Sequence, residues 1–127
     1  MSVYMKDGTG LAGINLDIMQ TIGQFVMGLQ TPWVLAGDWN MEPETIRSSG
    51  WLHRIGGELI SPTELTCSKG LGSTLDFFVI SRSLSPFVIS IDTWLDAPTS
   101  PHSPVIMVIG GTSSAAKSTE RVKWKAF

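Results

Sequence analysis

Four polar residues interrupt or follow apolar runs in this chain, and their types suit one kind of chemistry. Asp38 and Asn40 close "PWVLAGDWN" (32–40), Asp76 sits in "STLDFFVIS" (73–81), and His102 comes just before "VIMVIG" (105–110). Carboxylates hold a hard divalent cation such as Mg²⁺. A carboxamide orients a water or a phosphate oxygen, and an imidazole exchanges a proton with, or stabilises, a phosphoryl group. Together these are the groups wanted for metal-assisted phosphodiester hydrolysis. Side chains two apart on a strand share a face, so Asp38 and Asn40 are expected to project together at the strand's exit. The same pair also suits an ordinary strand-exit turn, in which both side chains bond to backbone.

The elements that must position these residues are readable in outline. "SVYM" (2–5) reads as a short strand and "KDGTG" (6–10) as a loop. Ile14, Ile18, Ile22, Phe25 and Leu29 recur at helical spacing, predicting a helix that runs to about Gln30. Trp33–Ala36 is a strand apolar on both faces, as in a sheet covered on both sides. Pro43 suits the first position of a short helix that Gly50 could close. Residues 56–67 mix turn and strand, and 68–72 form a turn. Strands are expected at 73–81, 85–94 and 105–110, the last two joined by the proline-rich loop 96–104. His53 is assigned to the surface and Cys67 to a small buried filler. Trp39, between the two candidate site residues, is expected to be core on the far face rather than a stacking platform.

Composition bounds the rest. The 127 residues are 43% hydrophobic and 16% charged, which suits one globular domain. One cysteine excludes an intrachain disulfide, and no CxxC or Cys/His cluster suggests zinc. No apolar run is long enough for a transmembrane helix. The N-terminal residues lack the pattern of a signal peptide, which leaves a nuclear or cytosolic location as the default and does not exclude organellar import. Residues 1–116 carry five basic and ten acidic side chains; residues 117–127 carry four basic and one acidic. An acidic body is a poor electrostatic match for duplex nucleic acid, which is bound through lysine and arginine.

In order, "LAGDWN", "STLDFFVIS" and "SPHSPVIMVI" resemble the C-terminal half of the endonuclease/exonuclease/phosphatase family. That family includes the endonucleases of non-LTR retrotransposons, apurinic-site nucleases and pancreatic-type deoxyribonuclease. "SVYM" resembles its mid-chain strand, so the likeness covers about residue 2 to about residue 110. It implies an α/β fold, a mixed sheet with one main helix, forming half of a four-layer α/β sandwich. Residues 1–110 would be the half-domain and 111–127 a basic, linker-like tail.

Carried over by residue, the resemblance implies that Asp38 and Asn40 position the attacking water and a phosphate oxygen at the metal. Asp76 would orient or charge-stabilise His102, at a separation of about 2.6–3.2 Å, and His102 would act at the scissile phosphate. Two departures bear on this. The family's Ser-Asp-His is here Ser100-Pro101-His102, so a metal-supporting acid is replaced. The 127 residues also hold no counterpart of the family's first half, with its early asparagine and Mg²⁺-ligating glutamate. Mg²⁺ binding is therefore expected to be weak or absent. The expected function is a non-catalytic, protein-binding or structural module derived from a phosphodiesterase fold and bound to other protein chains. The alternative is a Mg²⁺-dependent endonuclease completed by another chain, with nucleic acid as a partner only in that case.

Overall fold

The computed structural model describes residues 1–112 and 119–126 and has a mixed α/β architecture. Four strands form one sheet in the order β1 (Ser2–Tyr4), β2 (Val34–Asp38), β4 (Asp76–Ser81), β3 (Gly57–Ile60). β1 runs parallel to β2, and the other two pairings are antiparallel. The parallel step needs a crossover, which the main helix α1 (Ile14–Met27) supplies. Two short helices, α2 (Pro43–Arg47) and α3 (Trp51–Ile55), connect β2 to β3. A second, antiparallel sheet consists of β5 (Val88–Thr93), β6 (Val105–Thr112) and β7 (Thr119–Ala126).

The sequence of β4, Asp-Phe-Phe-Val-Ile-Ser, explains how the layers join. Successive side chains point to opposite faces. Phe77 and Val79 enter a core with Met19, Ile22 and Val26 of α1 and Trp51 and Ile55 of α3. Phe78 and Ile80 enter a second core with Val105, Met107 and Ile109 of β6. All four are fully buried, so the strand is apolar on both faces because helices cover one and the second sheet covers the other. β1 lies unusually close to β2: a Cβ on Gly37 would fall 1.8 Å from the carbonyl oxygen of Val3. Only glycine allows that approach.

Several sequence-based boundaries move. β2 extends through Asp38, and β4 begins at Asp76, so both acids lie at strand termini within the ladder. A 3₁₀ turn (Arg82–Phe87) takes the first part of the expected 85–94 strand. α3, between Gly50 and Gly56, was not anticipated. Pro43 does open α2, at its first turn.

The face of α1 is a correction. Ile14, Phe25 and Leu29 of the apolar stripe are exposed, whereas Asn15, Met19, Ile22, Gly23 and Val26 are buried. Asn15 decides the rotation. Its side chain accepts from Lys6 N–H at 2.7 Å and donates to the Lys6 and Gly10 carbonyls at 3.0 and 2.9 Å. That satisfies the backbone of the loop between β1 and α1, at a site where unpaired polar groups would be costly.

Residues 113–118, within the segment expected to be linker-like, lie outside the described residues, as does Phe127. β6 continues past residue 110 to Thr112, and β7 pairs with it over eight positions. Among the described residues no helix is long and apolar enough to cross a membrane.

Candidate active site

The antiparallel register of β2 and β4 sets Asp38 directly opposite Asp76. Both lie at even positions of ladders whose other even residues, Val34, Ala36, Phe78 and Ile80, pack toward the second sheet. The two carboxylates therefore share that face and stand at the end of the strands. Like charges in directly opposed positions are destabilising, so this pairing brings no structural benefit by itself.

His102 is delivered by the loop preceding β6. Ser103 N–H donates to the Thr66 carbonyl at 2.7 Å, Ser68 N–H donates to the Pro101 carbonyl at 2.9 Å, and Cys67 forms a β-bridge with His102. Thr66 holds the other half as well. Its buried hydroxyl accepts from Leu75 N–H at 2.9 Å and Asp76 N–H at 3.0 Å. One residue thus ties the start of β4 to the histidine loop. Nothing in its sequence setting marks Thr66, because the role consists of bonds to backbone distant in the chain.

The result is an imidazole set between two acids. His102 Nδ1 lies 2.6 Å from Asp76 Oδ2, and Nε2 lies 3.6 Å from Asp38 Oδ2. Asp76 is wholly buried, while the side chains of Asp38 and His102 keep 13% and 27% of their exposure. Burial pushes the Asp76 carboxyl above its ordinary value, against the His102 ring and the Thr66 hydroxyl, which pull it down. Burial also raises Asp38, helped by the charge of Asp76 and opposed by His102 and by the N–H of Asn40. Asp76 Oδ1 is buried and has no hydrogen-bond partner. One ligand atom each from Asp38, Asp76 and His102 lies within 4.8 Å of the others, which makes the cluster a possible metal-binding triad.

Asn40 reaches the site by a different route from simple strand alternation. It has φ 48°, a left-handed conformation that asparagine tolerates better than most residues. Its amide nitrogen donates to the Met5 carbonyl at 2.6 Å, and its own N–H donates to Asp38 Oδ1 at 3.1 Å. The bonds of an ordinary strand-exit turn are thus present at this corner. Asn40 lines the cleft and lies outside the donor triad.

The cleft above the triad has a volume of about 380 Å³, with Asp38, Asn40 and His102 in its wall together with the exposed Tyr4 of β1 and Lys69. On the other face of the sheet, Trp39 is fully buried in the core with α1 and α3, stacked on Phe77 with 5.4 Å between ring centroids, and donates Nε1–H to the Phe77 carbonyl at 3.0 Å. His53 is exposed and Cys67 is buried. No protein-family model matches this sequence, and no curated protein does.

Proposed function

We propose that the chain carries a phosphodiester-hydrolysing site built on Asp38, Asp76 and His102, within a fold that corresponds to half of a four-layer α/β sandwich. The observation that carries this reading is the His102 ring, 2.6 Å from Asp76 on one side and 3.6 Å from Asp38 on the other, at the wall of an open cleft. Two opposed carboxylates, one buried and one half-buried, lower stability, and acids whose pKa values are raised in this way cluster where chemistry is done.

In this reading Asp76 fixes the ring by accepting from Nδ1–H, which turns Nε2 toward Asp38 and the cleft. Asp38 and Nε2 then face the position of an attacking water and a non-bridging phosphate oxygen. A divalent cation fits on the cleft side of the ring, where Asp38 Oδ2 faces His102 Nε2 at 3.6 Å. Such a cation, held by Asp38 and His102, would supply charge neutralisation at the phosphoryl group and an activated water. The chain's own residues keep the ring oriented and the cleft walled, and Lys69 offers a positive charge to the substrate phosphate.

The test is hydrolysis of bis(p-nitrophenyl) phosphate and of a labelled abasic duplex by the purified chain, with Mg²⁺, Mn²⁺ or Zn²⁺ supplied. Turnover is expected, and His102→Ala should lower it by about 10²–10⁴-fold. The absence of turnover with all three metals would reject the reading.

A second reading has its own support. Pro101 stands where the resembled family carries an acid, and α1 leaves Ile14, Phe25 and Met27 exposed. These favour a non-catalytic module bound to other protein chains. Its signature would be a chain that turns over nothing and elutes as an oligomer or a complex.

A further inference from the structure

We propose that the cleft takes a phosphodiester with a single phosphate and a hydrocarbon substituent, in preference to a nucleic-acid strand. This rests on the hydrolytic reading and names the substrate class of that site. The first observation is an apolar lip beside the cleft. Lys69 and Gly70 line the cleft, and Leu71, next in the chain, is 104% exposed. Leu65 is 54% exposed and lies against the same turn, where a Cβ on Gly72 would fall 2.5 Å from its Cδ1.

The turn that carries these leucines is firmly built. Gly70 and Gly72 have φ of 63° and 86°, which glycine adopts without strain. Gly72 N–H donates to the Lys69 carbonyl at 3.1 Å, and Cys67 and Ser73 exchange N–H···O bonds at 2.9 and 3.0 Å. Leu71 is thus held out in water at a fixed tip, where it contributes no burial to the fold. Hydrocarbon laid against it gains what the fold leaves unused.

Charge supplies the second observation. Among the described residues that line the cleft, Lys69 is the one permanent cation, and no ion pair engages it. Asp7 and Asp38 line the same cleft. Lys69 can meet one phosphate, whereas the neighbouring phosphates of a strand would meet carboxylates. Strand binding draws on several lysine or arginine contacts, and residues 1–116 hold five basic side chains against ten acidic ones. The remaining wall suits a substituent without charge. Tyr4, in register with Asp38 on the neighbouring strand, is 71% exposed, and Leu75 and Pro101 join it.

The experiment uses p-nitrophenyl phosphodiesters whose second substituent is methyl, hexyl, dodecyl or thymidine 5′-yl, with the full chain and the three metals named above. Water adds to phosphorus, and p-nitrophenolate leaves with the electron pair of the broken P–O bond. From methyl to hexyl, kcat/KM should rise by about 10-fold or more, through KM, and the thymidine ester should fall below the hexyl ester. Leu71→Ser, a change at a fully exposed position, should reduce the hexyl-to-methyl ratio to about 3 or less. With the dodecyl ester, a rate that jumps on aggregation assigns the substrate to a lipid surface, and one that saturates before aggregation assigns it to a free molecule. Both results support the proposal. If no ester is turned over, calorimetry with dihexyl phosphate and with an oligothymidylate decides. Tighter binding of dihexyl phosphate, weakened in Leu71→Ser, keeps the ligand class and overturns the hydrolytic reading alone. No dependence on chain length, a dependence unchanged in Leu71→Ser, or a preference for the nucleotide overturns the proposal, whether the assay reads turnover or binding.

Discussion

The two ends of the β2–β4 ladder share one hydrogen-bonded framework and opposite chemistry. At one end Val34 faces Ile80 and Leu35 faces Val79; at the other Asp38 faces Asp76. The hydrocarbon end is held by burial, at about 1.5–3 kcal/mol for each large apolar side chain removed from water. The acidic end is held in place by its neighbours: the Thr66 hydroxyl on the β4 backbone, the His102 ring on Asp76, and the Asn40 N–H on Asp38. Stability is thus generated along most of the strand pair and spent at its tip. The comparison explains why a short ladder can carry a site whose charges oppose one another.

The largest effect should come from breaking the apolar end. Phe78 is fully buried between the two sheets, and Phe78→Ala should destabilise the chain by about 3–5 kcal/mol, measured as a lower urea midpoint. Thr66→Val tests the acidic end's support. It strands the Leu75 and Asp76 N–H groups and should cost about 1–3 kcal/mol, with a disproportionate loss of activity because the same hydroxyl acts on Asp76, the acid that holds the His102 ring. The smallest change has the opposite sign. Asp38→Asn relieves a like-charge cross-strand pair and should stabilise by about 0.2–1 kcal/mol at neutral pH while impairing hydrolysis.

The pH dependence sharpens the same contrast. Asp38 and Asp76 both have folded-state pKa values raised above 3.8. Between the unfolded and folded values the native state binds more protons than the unfolded state, so this contribution to stability falls as pH rises through that window. It is fully present below the unfolded pKa and lost above the folded one. Unfolding in urea from pH 4 to pH 7 should show the decline, and Asp38→Asn should shallow it. A variant that leaves the slope unchanged would show that Asp38 carries no charge penalty in the fold.

The legible parts of the molecule were those where composition and period agree. Trp33–Ala36 read as a strand covered on both faces and 73–81 as a further strand, and Asp38, Asp76 and His102 stood out as polar groups set against apolar strands. The illegible parts depend on tertiary bonds. Asn15 and Thr66 look like ordinary polar residues, yet both are buried because distant backbone groups bond to their side chains. The stripe on α1 misleads for a related reason: the helix carries more apolar residues than its core-facing side uses, and Asn15 sets the rotation. α3 escaped notice because five residues between two glycines are too few to display a period.

Trp39 gives the site an optical address. Its indole lies 6.1 Å from that of Trp51 at 64°, and 5.4 Å from the Phe77 ring. Rings locked at fixed angles give near-ultraviolet circular dichroism that vanishes when side-chain packing is lost. Because Trp39 is the residue between Asp38 and Asn40, its part of that signal reports on the strand end that carries both. Spectral changes on adding a metal or a phosphodiester that disappear in Trp39→Phe can therefore be assigned to this corner without attaching a probe to it.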